Sequence, residues 1–98
     1  MADNPDFPVG TAAVNWVDSG GAVHLRVYSC DGYTITERCW DGQSWVNGFT
    51  CPGSQVSATA WQDNAGLHLR VYATFQDNTT EWCFDPGSNW QVGQYSKP

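Results

Sequence analysis

Apolar and polar residues alternate along several short stretches of the chain. In residues 22–28 the polar side chains of His24 and Arg26 are separated from each other by a single apolar residue. A period of two is typical of a β-strand that buries one face, and no stretch shows the 3.6-residue period of a helix. We therefore predict an all-β fold with four short strands in each half of the chain. Besides two central hairpins, the expected strands lie near residues 11–17, 44–49, 56–61 and 89–95.

The first central hairpin carries a turn signal. Asp31-Gly32 is a dipeptide that favours a two-residue β-turn between antiparallel strands. With these two residues at the tip, the register predicts that Arg26 lies directly opposite Glu37. In the second half of the chain Arg70 and Glu81 have the same separation, so we expect the same pairing there.

The second half of the chain repeats the first. The motif His24-Leu25-Arg26-Val27-Tyr28 returns as His68-Leu69-Arg70-Val71-Tyr72, and Thr36-Glu37-Arg38-Cys39-Trp40-Asp41 returns as Thr80-Glu81-Trp82-Cys83-Phe84-Asp85. At a repeat spacing that is one residue longer, Trp16, Trp45 and Gly48 correspond to Trp61, Trp90 and Gly93. Both glutamates, both histidines and two of the arginines occupy equivalent places, so we expect them to share a structural or chemical task.

Each repeat has the size of one blade of a β-propeller. We assign residues 1–10 to a flexible N-terminal arm, residues 11–55 to the first blade and residues 56–98 to the second. Two blades alone would expose broad apolar faces, so closure requires further copies of the chain, with a dimer, trimer or tetramer giving four, six or eight blades. An eight-stranded sandwich or barrel within one chain is the competing fold.

Composition and charge exclude several partners. The net charge of −6 gives a surface that repels nucleic-acid phosphates and anionic lipid headgroups. No apolar run approaches the ~20 residues of a membrane span, and residues 1–6 lack the basic and apolar segments of a signal peptide. We expect a soluble protein, cytoplasmic or secreted by a route that needs no classical signal peptide, with no nucleic-acid partner and no lipid insertion.

The cysteines and acidic residues show no metal-binding pattern. The spacing of the four cysteines matches no zinc motif, and no acidic loop has the ligand spacing of a calcium site. We therefore expect no metal and no cofactor. Cys39 and Cys83 lie in apolar strands and are interpreted as buried free thiols, with a bridge between them as the alternative. For Cys30 and Cys51, at strand ends, a disulfide stays open as an alternative.

Arginine, glutamate and tryptophan in one repeat suggest two interpretations. An Arg–Glu pair across two strands is a surface ion pair of small energetic value, or part of a sugar-binding site. Each repeat supplies aromatic residues just after the glutamate, and an indole face packs on the C–H groups of a pyranose while arginine donates and carboxylate accepts hydrogen bonds. Two tryptophans and both histidines are interpreted as strand packing, with pH sensitivity of the histidines as an alternative. They are Trp16, Trp61, His24 and His68.

Two other classes of function compete with sugar binding. A glycosidase usually needs two carboxylates with different roles about 5 to 10 Å apart. Each repeat has one glutamate, and we expect Asp41 and Asp85 on the opposite strand face. The second competitor is a propeller that binds proteins or serves only as a scaffold, in which the Arg–Glu pairs are structural.

The two repeated motifs, together with Gly42 and the spacing of Trp45 and Gly48, resemble the fucose-binding β-propeller lectins of the Aleuria aurantia lectin family, above all its short two-repeat members. The resemblance covers residues 11–95. It implies a six-bladed β-propeller completed by a homotrimer, with one sugar site between each pair of adjacent blades. It also implies a lectin without catalytic residues that binds L-fucose and fucosylated oligosaccharides multivalently.

The resemblance further implies two classes of site. The intrachain site would consist of Arg26, Glu37, Phe84 and Trp90, with a backbone contribution at Phe49. The interchain site would consist of Arg70 and Glu81 of one chain and Trp40 and Trp45 of its neighbour, with a backbone contribution at Gln94.

Overall fold

The computed structural model describes residues 10–97 and shows an all-β chain with no helix in that range. The strands are β1 (Thr11–Val17), β2 (Val23–Cys30), β3 (Thr34–Trp40), β4 (Trp45–Pro52), β5 (Gln55–Asp63), β6 (Gly66–Phe75), β7 (Asn78–Phe84) and β8 (Gln91–Val92). They form two four-stranded antiparallel sheets in the orders β1-β2-β3-β4 and β5-β6-β7-β8. The prediction of an all-β fold with four strands in each half is confirmed. The predicted N-terminal arm lies outside the described residues except for Gly10. Residues 10–97 contain no helix that is long and apolar enough to cross a membrane.

The tip of the first central hairpin is longer than predicted. Cys30 pairs with Ile35, which leaves four residues between the paired positions. The Asp31 carboxylate accepts hydrogen bonds from the backbone N–H groups of Tyr33, at 2.9 Å, and Thr34, at 2.8 Å. An aspartate that bonds the backbone ahead of it stabilises a wider turn than the two-residue type.

The expected pairing of Arg26 directly opposite Glu37 is therefore wrong. Arg26 pairs with Cys39, and Glu37 pairs with Tyr28. The arginine and the glutamate still share one face of the sheet, because they are diagonal neighbours two residues apart in register. The second hairpin has the same arrangement, with Arg70 opposite Cys83 and Tyr72 opposite Glu81.

The core lies between the two sheets. Tyr28 and Ile35 of the first sheet and Val71 of the second are fully buried, with Cys51 and Ala73 beside them. The first sheet thus turns its arginine–glutamate face toward the second sheet. The second sheet packs through the opposite face, since Val71 alternates with Arg70 and Tyr72 along β6. Its own arginine–glutamate face consequently points away from the first sheet.

All four cysteines are free thiols. Ile35 pairs with both Cys30 and Cys51, so these cysteines lie on strands that are not neighbours. Two strand spacings place their Cα atoms about 10 Å apart, beyond the ~7 Å that a disulfide spans. The alternative of a disulfide is therefore wrong. Burial raises the pKa of Cys51 and of Cys39 to about 11, while Cys83 is only half-buried.

Candidate functional site

A cavity of about 120 Å³ lies between the two sheets. Its walls are Arg26, Glu37, Cys39, Leu67, Leu69, Phe84 and Trp90. The polar side chains come from β2 and β3, and the aromatic ones from the end of β7 and the residue before β8. The ring centroids of Phe84 and Trp90 are 5.5 Å apart with a tilt of 46°. Four of the five residues predicted for the intrachain site are thus brought together around one cavity.

The fifth predicted residue, Phe49, supports the cavity from behind. Its ring stacks on Trp90 with centroids 4.3 Å apart and meets the edge of Trp82 at 5.2 Å. Its backbone N–H donates to Glu37 Oε1 at 3.0 Å. Phe49 therefore orients the carboxylate and the aromatic wall of the cavity.

Glu37 is a buried carboxylate with satisfied partners. Only 4% of its surface is exposed. Its Oε2 atom accepts a 2.6 Å hydrogen bond from the Tyr28 hydroxyl, while Oε1 accepts from Phe49. Burial, and then the Glu37 carboxylate, raise the pKa of Tyr28 above its usual value, so the phenol stays protonated and donates. The role of Tyr28 was not predicted, although its repetition at Tyr72 was visible in the sequence.

Gly48 allows this close approach of backbone and carboxylate. A Cβ atom at this position would collide with Glu37 Oε1 and approach Cys39 Sγ to 2.9 Å. Gly93 stands in the same relation to Glu81 and Cys83. The repeated glycine is thus required by the carboxylate that it faces.

Arg26 is held by an aspartate rather than by Glu37. Its Nη1 and Nη2 atoms donate to Asp41 at 3.0 and 3.3 Å, and Nη1 also donates to the Leu25 carbonyl at 2.8 Å. The guanidinium lies over the Trp16 ring, 4.8 Å from its centroid. The expected placement of Asp41 on the opposite face is wrong, because residues four apart along a strand return to the same face.

His24 lies between two carboxylates. Its Nδ1 atom is 2.7 Å from Asp41 Oδ1, and its Nε2 atom is 2.8 Å from Asp18 Oδ2. The ring also stacks on Trp16, with centroids 5.1 Å apart and planes within 5°. The packing interpretation of this histidine was therefore incomplete. The hydrogen bonds with Asp18 and then Asp41 raise the pKa of His24, and the partnership with His24 lowers the pKa of both aspartates.

The second repeat reproduces these contacts. Arg70 donates to Asp85 at 2.9 Å, and His68 lies 2.5 Å from Asp85 and 3.0 Å from Asp63. The equivalent ring below them is Trp61. The carboxylate of the glutamate is again held by a tyrosine hydroxyl and by backbone N–H groups. These bonds run from Tyr72 at 2.7 Å, Gln94 at 3.0 Å and Tyr95 at 3.2 Å to Glu81.

The residues predicted for the interchain site occupy two outer faces of the chain. Arg70 and Glu81 lie on the face of the second sheet that points away from the first. Trp40 pairs with Leu25, on the face of the first sheet that points away from the second. Its ring and that of Trp45 are 5.7 Å apart with a tilt of 46°, the same tilt as in the intrachain pair. These two half-sites do not meet within one chain.

Comparisons with known proteins identify close similarities. A family model described as fungal fucose-specific lectin matches residues 4–98. The chain is 33% identical over 79 residues to the fucose-specific lectin of Aspergillus fumigatus, a match that covers 71% of this chain and 25% of that lectin. The chain therefore spans about a quarter of the length of the Aspergillus protein.

A solved structure is also similar. It is a fucose lectin from Kordia zhangzhouensis in complex with methyl-fucoside, with a sequence identity of 42% and a TM-score of 0.79. The match covers 95% of this chain and 71% of that chain. The similarity thus extends over both sheets.

Proposed function

Because the chain belongs to the fungal fucose-specific lectin family, we propose that it is a lectin that binds L-fucose and fucosylated glycans. The observation that carries this proposal is the cavity in which Arg26 and Glu37 face Phe84 and Trp90. A monosaccharide needs donors, acceptors and an apolar surface within one small pocket, and these side chains provide all three.

Each wall of the cavity has a separate task in this proposal. Nη1 of Arg26 uses both of its hydrogens on Leu25 and Asp41, while Nε–H and one Nη2 hydrogen are left to donate to sugar oxygens. The Glu37 carboxylate, which accepts one bond at each oxygen, retains lone pairs for sugar hydroxyls. The ring faces of Phe84 and Trp90, with the leucines beside them, receive the C–H groups and the methyl group.

The cavity favours binding over hydrolysis. Among its described lining residues Glu37 is the single carboxylate, whereas glycoside hydrolysis usually requires two. We propose that the protein is not an enzyme. Binding to an array of fucosylated and non-fucosylated glycans, with a hydrolysis assay on aryl fucosides, tests both statements. Absence of binding to any fucoside would refute the lectin proposal, and release of the aryl group would refute the non-enzymatic one.

We propose a homotrimeric six-bladed propeller as the functional assembly, since the outer faces carry complementary half-sites. Tyr28 is fully buried, while its counterpart Tyr72 is only half-buried beside an open groove of about 550 Å³. Glu37 and Glu81 differ in the same way. A neighbouring chain that packs on this face as the second sheet packs on the first would bury Tyr72 and Glu81 and bring its Trp40 and Trp45 to Arg70.

We expect light scattering in dilute solution to give the mass of three chains of 10.8 kDa each. Six sites on one body would then give much stronger binding to a dense fucose surface than to free methyl fucoside, because the second contact forms at high effective concentration. A monomer in light scattering would contradict the proposed propeller.

Sugar binding is expected to be independent of metal ions. The proposed contacts use only the guanidinium, the carboxylate and the aromatic rings of the chain. Treatment with EDTA is therefore expected to leave the affinity for methyl fucoside unchanged in calorimetry. A loss of binding that added calcium restores would contradict this prediction.

The two classes of site are expected to differ in affinity because Phe84 stands where the other class has Trp40. The indole can pack and donate a hydrogen bond, whereas the phenyl ring can only pack. A missing hydrogen bond of this kind costs about 0.5 to 1.5 kcal/mol, or about two- to twelve-fold in affinity. Phe84→Trp should tighten the intrachain site, as measured by a two-class binding isotherm.

The reciprocal variant, Trp40→Phe, is the matched control and should weaken only the interchain site. Bridging water can replace part of the missing bond, so we expect the lower half of that range. Indistinguishable classes that stay unchanged in both variants would show that this position does not contact the sugar.

A further inference from the structure

Both repeats contain a charged network next to the proposed sugar contacts. In the first repeat it runs from Asp18 through His24 and Asp41 to Arg26, with Trp16 beneath the histidine and the guanidinium. The second repeat has the equivalent residues at similar distances, although His68 Nε2, 3.0 Å from Asp63, lacks hydrogen-bond geometry. They are Asp63, His68, Asp85, Arg70 and Trp61. The network therefore uses both histidines of the protein.

The geometry of the network favours a protonated histidine. A carboxylate oxygen faces each ring nitrogen of His24, at 2.7 and 2.8 Å. A neutral imidazole has one N–H donor and one lone pair, so one of the two contacts would set a lone pair against a carboxylate. The imidazolium donates at both nitrogens and satisfies both aspartates.

Asp41 connects this histidine to the arginine. One carboxylate oxygen, Oδ1, accepts from both His24 and Arg26, and Oδ2 accepts from the second guanidinium nitrogen. The two bonds hold the guanidinium above Trp16, and Arg26 also lines the cavity between the sheets. With histidine protonated, two aspartates, one histidine and one arginine have no net charge.

We propose that Asp41 and Asp85 are positioning residues for the sugar-binding arginines, and that His24 and His68 make the affinity for fucose dependent on pH. The inference rests on the proposed lectin function. When the histidine loses its proton, one carboxylate contact becomes repulsive and the ring shifts from its tryptophan. Asp41 then loses a donor and the cluster gains a net negative charge, so the guanidinium is a poorer donor to the sugar.

The sign of the pH dependence follows from the groups that face each histidine. In the described part of the chain these are Asp18, Asp41 and Arg26 for His24, with the equivalent Asp63, Asp85 and Arg70 for His68. The bonds to Asp85 and then Asp63 raise the pKa of His68, as the corresponding bonds do for His24. The strong-binding form is therefore complete below the ordinary histidine pKa of about 6.5 and is lost as pH rises through the raised pKa of the folded protein.

Calorimetry with methyl fucoside from about pH 5.5 to about pH 9 tests the pH dependence. We expect the affinity of the unmodified protein to fall about three- to tenfold toward the alkaline end. The double variant His24→Gln, His68→Gln is expected to bind with the weaker affinity at every pH. A flat profile in the unmodified protein, or an equal slope in the double variant, would overturn the proposal. Absence of binding at every pH would instead refute the lectin function.

The positioning role has its own test in Asp41→Asn. This variant should weaken fucose binding at the intrachain site alone. It should also lower the pKa of His24, which NMR of the imidazole protons measures. Asp77→Asn removes the same charge at an exposed turn, where the positive φ of 68° suits asparagine, and should change neither quantity. Unchanged affinity in Asp41→Asn would overturn the positioning role.

A measurement on the unmodified protein avoids any effect of substitution on folding. Since fucose should bind the protonated form more tightly, its binding near the histidine pKa should take up protons. Calorimetry in two buffers of different ionisation enthalpy measures this uptake. A binding enthalpy that does not depend on the buffer would overturn the proposed link between histidine and sugar.

Discussion

Arg26→Ala is expected to halve the number of fucose sites, from two per chain to one. The substitution removes the one guanidinium among the described residues that line the intrachain cavity and leaves Asp41 without its arginine partner. The second class of site, built on Arg70, has its own aspartate and should keep its affinity. The number of occupied sites in calorimetry, with near-ultraviolet circular dichroism to confirm the fold, measures the effect.

Two further variants make this test specific. Arg26→Lys keeps the positive charge but cannot donate to Asp41 through two nitrogens and to the sugar at the same time, so we expect it to resemble the alanine variant. Arg70→Ala should remove the interchain class in the same way. An unchanged number of sites in Arg26→Ala would show that the arginine has only a structural role.

Gly48→Ala is expected to remove the intrachain site and to destabilise the fold. The added methyl group would collide with the Glu37 carboxylate and press on Cys39. Both neighbours are buried, so neither can move freely toward solvent. Overpacking of this kind costs about 1 to 3 kcal/mol in the free energy of unfolding, which urea denaturation measures.

Gly93→Ala is the matched variant in the second repeat. Its methyl group would collide with the Glu81 carboxylate and press on Cys83, so we expect loss of the interchain site and destabilisation of the proposed trimer, in which a neighbouring chain buries Glu81. Gly48→Ala with unchanged stability and two sites per chain would contradict the close approach of backbone and carboxylate.

The sequence singled out the candidate site residues through its internal repeat, and the family resemblance implied how they divide between two sites. Period-two alternation predicted the strands, since a strand that buries one face must alternate. The recurrence of scarce residues singled out the arginines and glutamates, and aromatic residues just after each glutamate suggested a sugar-binding role. The sequence also indicated that one chain cannot close a propeller, because two blades alone leave apolar faces uncovered.

The tertiary structure decided the partners of these residues. The prediction that Arg26 lies opposite Glu37 assumes a two-residue turn, whereas the register is shifted and four residues separate the paired Cys30 and Ile35. The Asp31 carboxylate bonds the backbone within this wider turn. The shift puts Tyr28 beside Glu37 and leaves Arg26 to Asp41. Side-chain hydrogen bonds at a turn are too local for the alternation pattern to reveal.

Packing between the sheets also decided how the two repeats differ. Their arginine–glutamate faces are nearly identical in sequence, yet within residues 10–97 only the first is covered, where Tyr28 is fully buried. The same motif in the second repeat leaves Tyr72 and Glu81 half-buried. Burial depends on which face of a sheet packs against the neighbouring sheet. A repeated sequence specifies the residues on each face, but it does not specify what packs against that face.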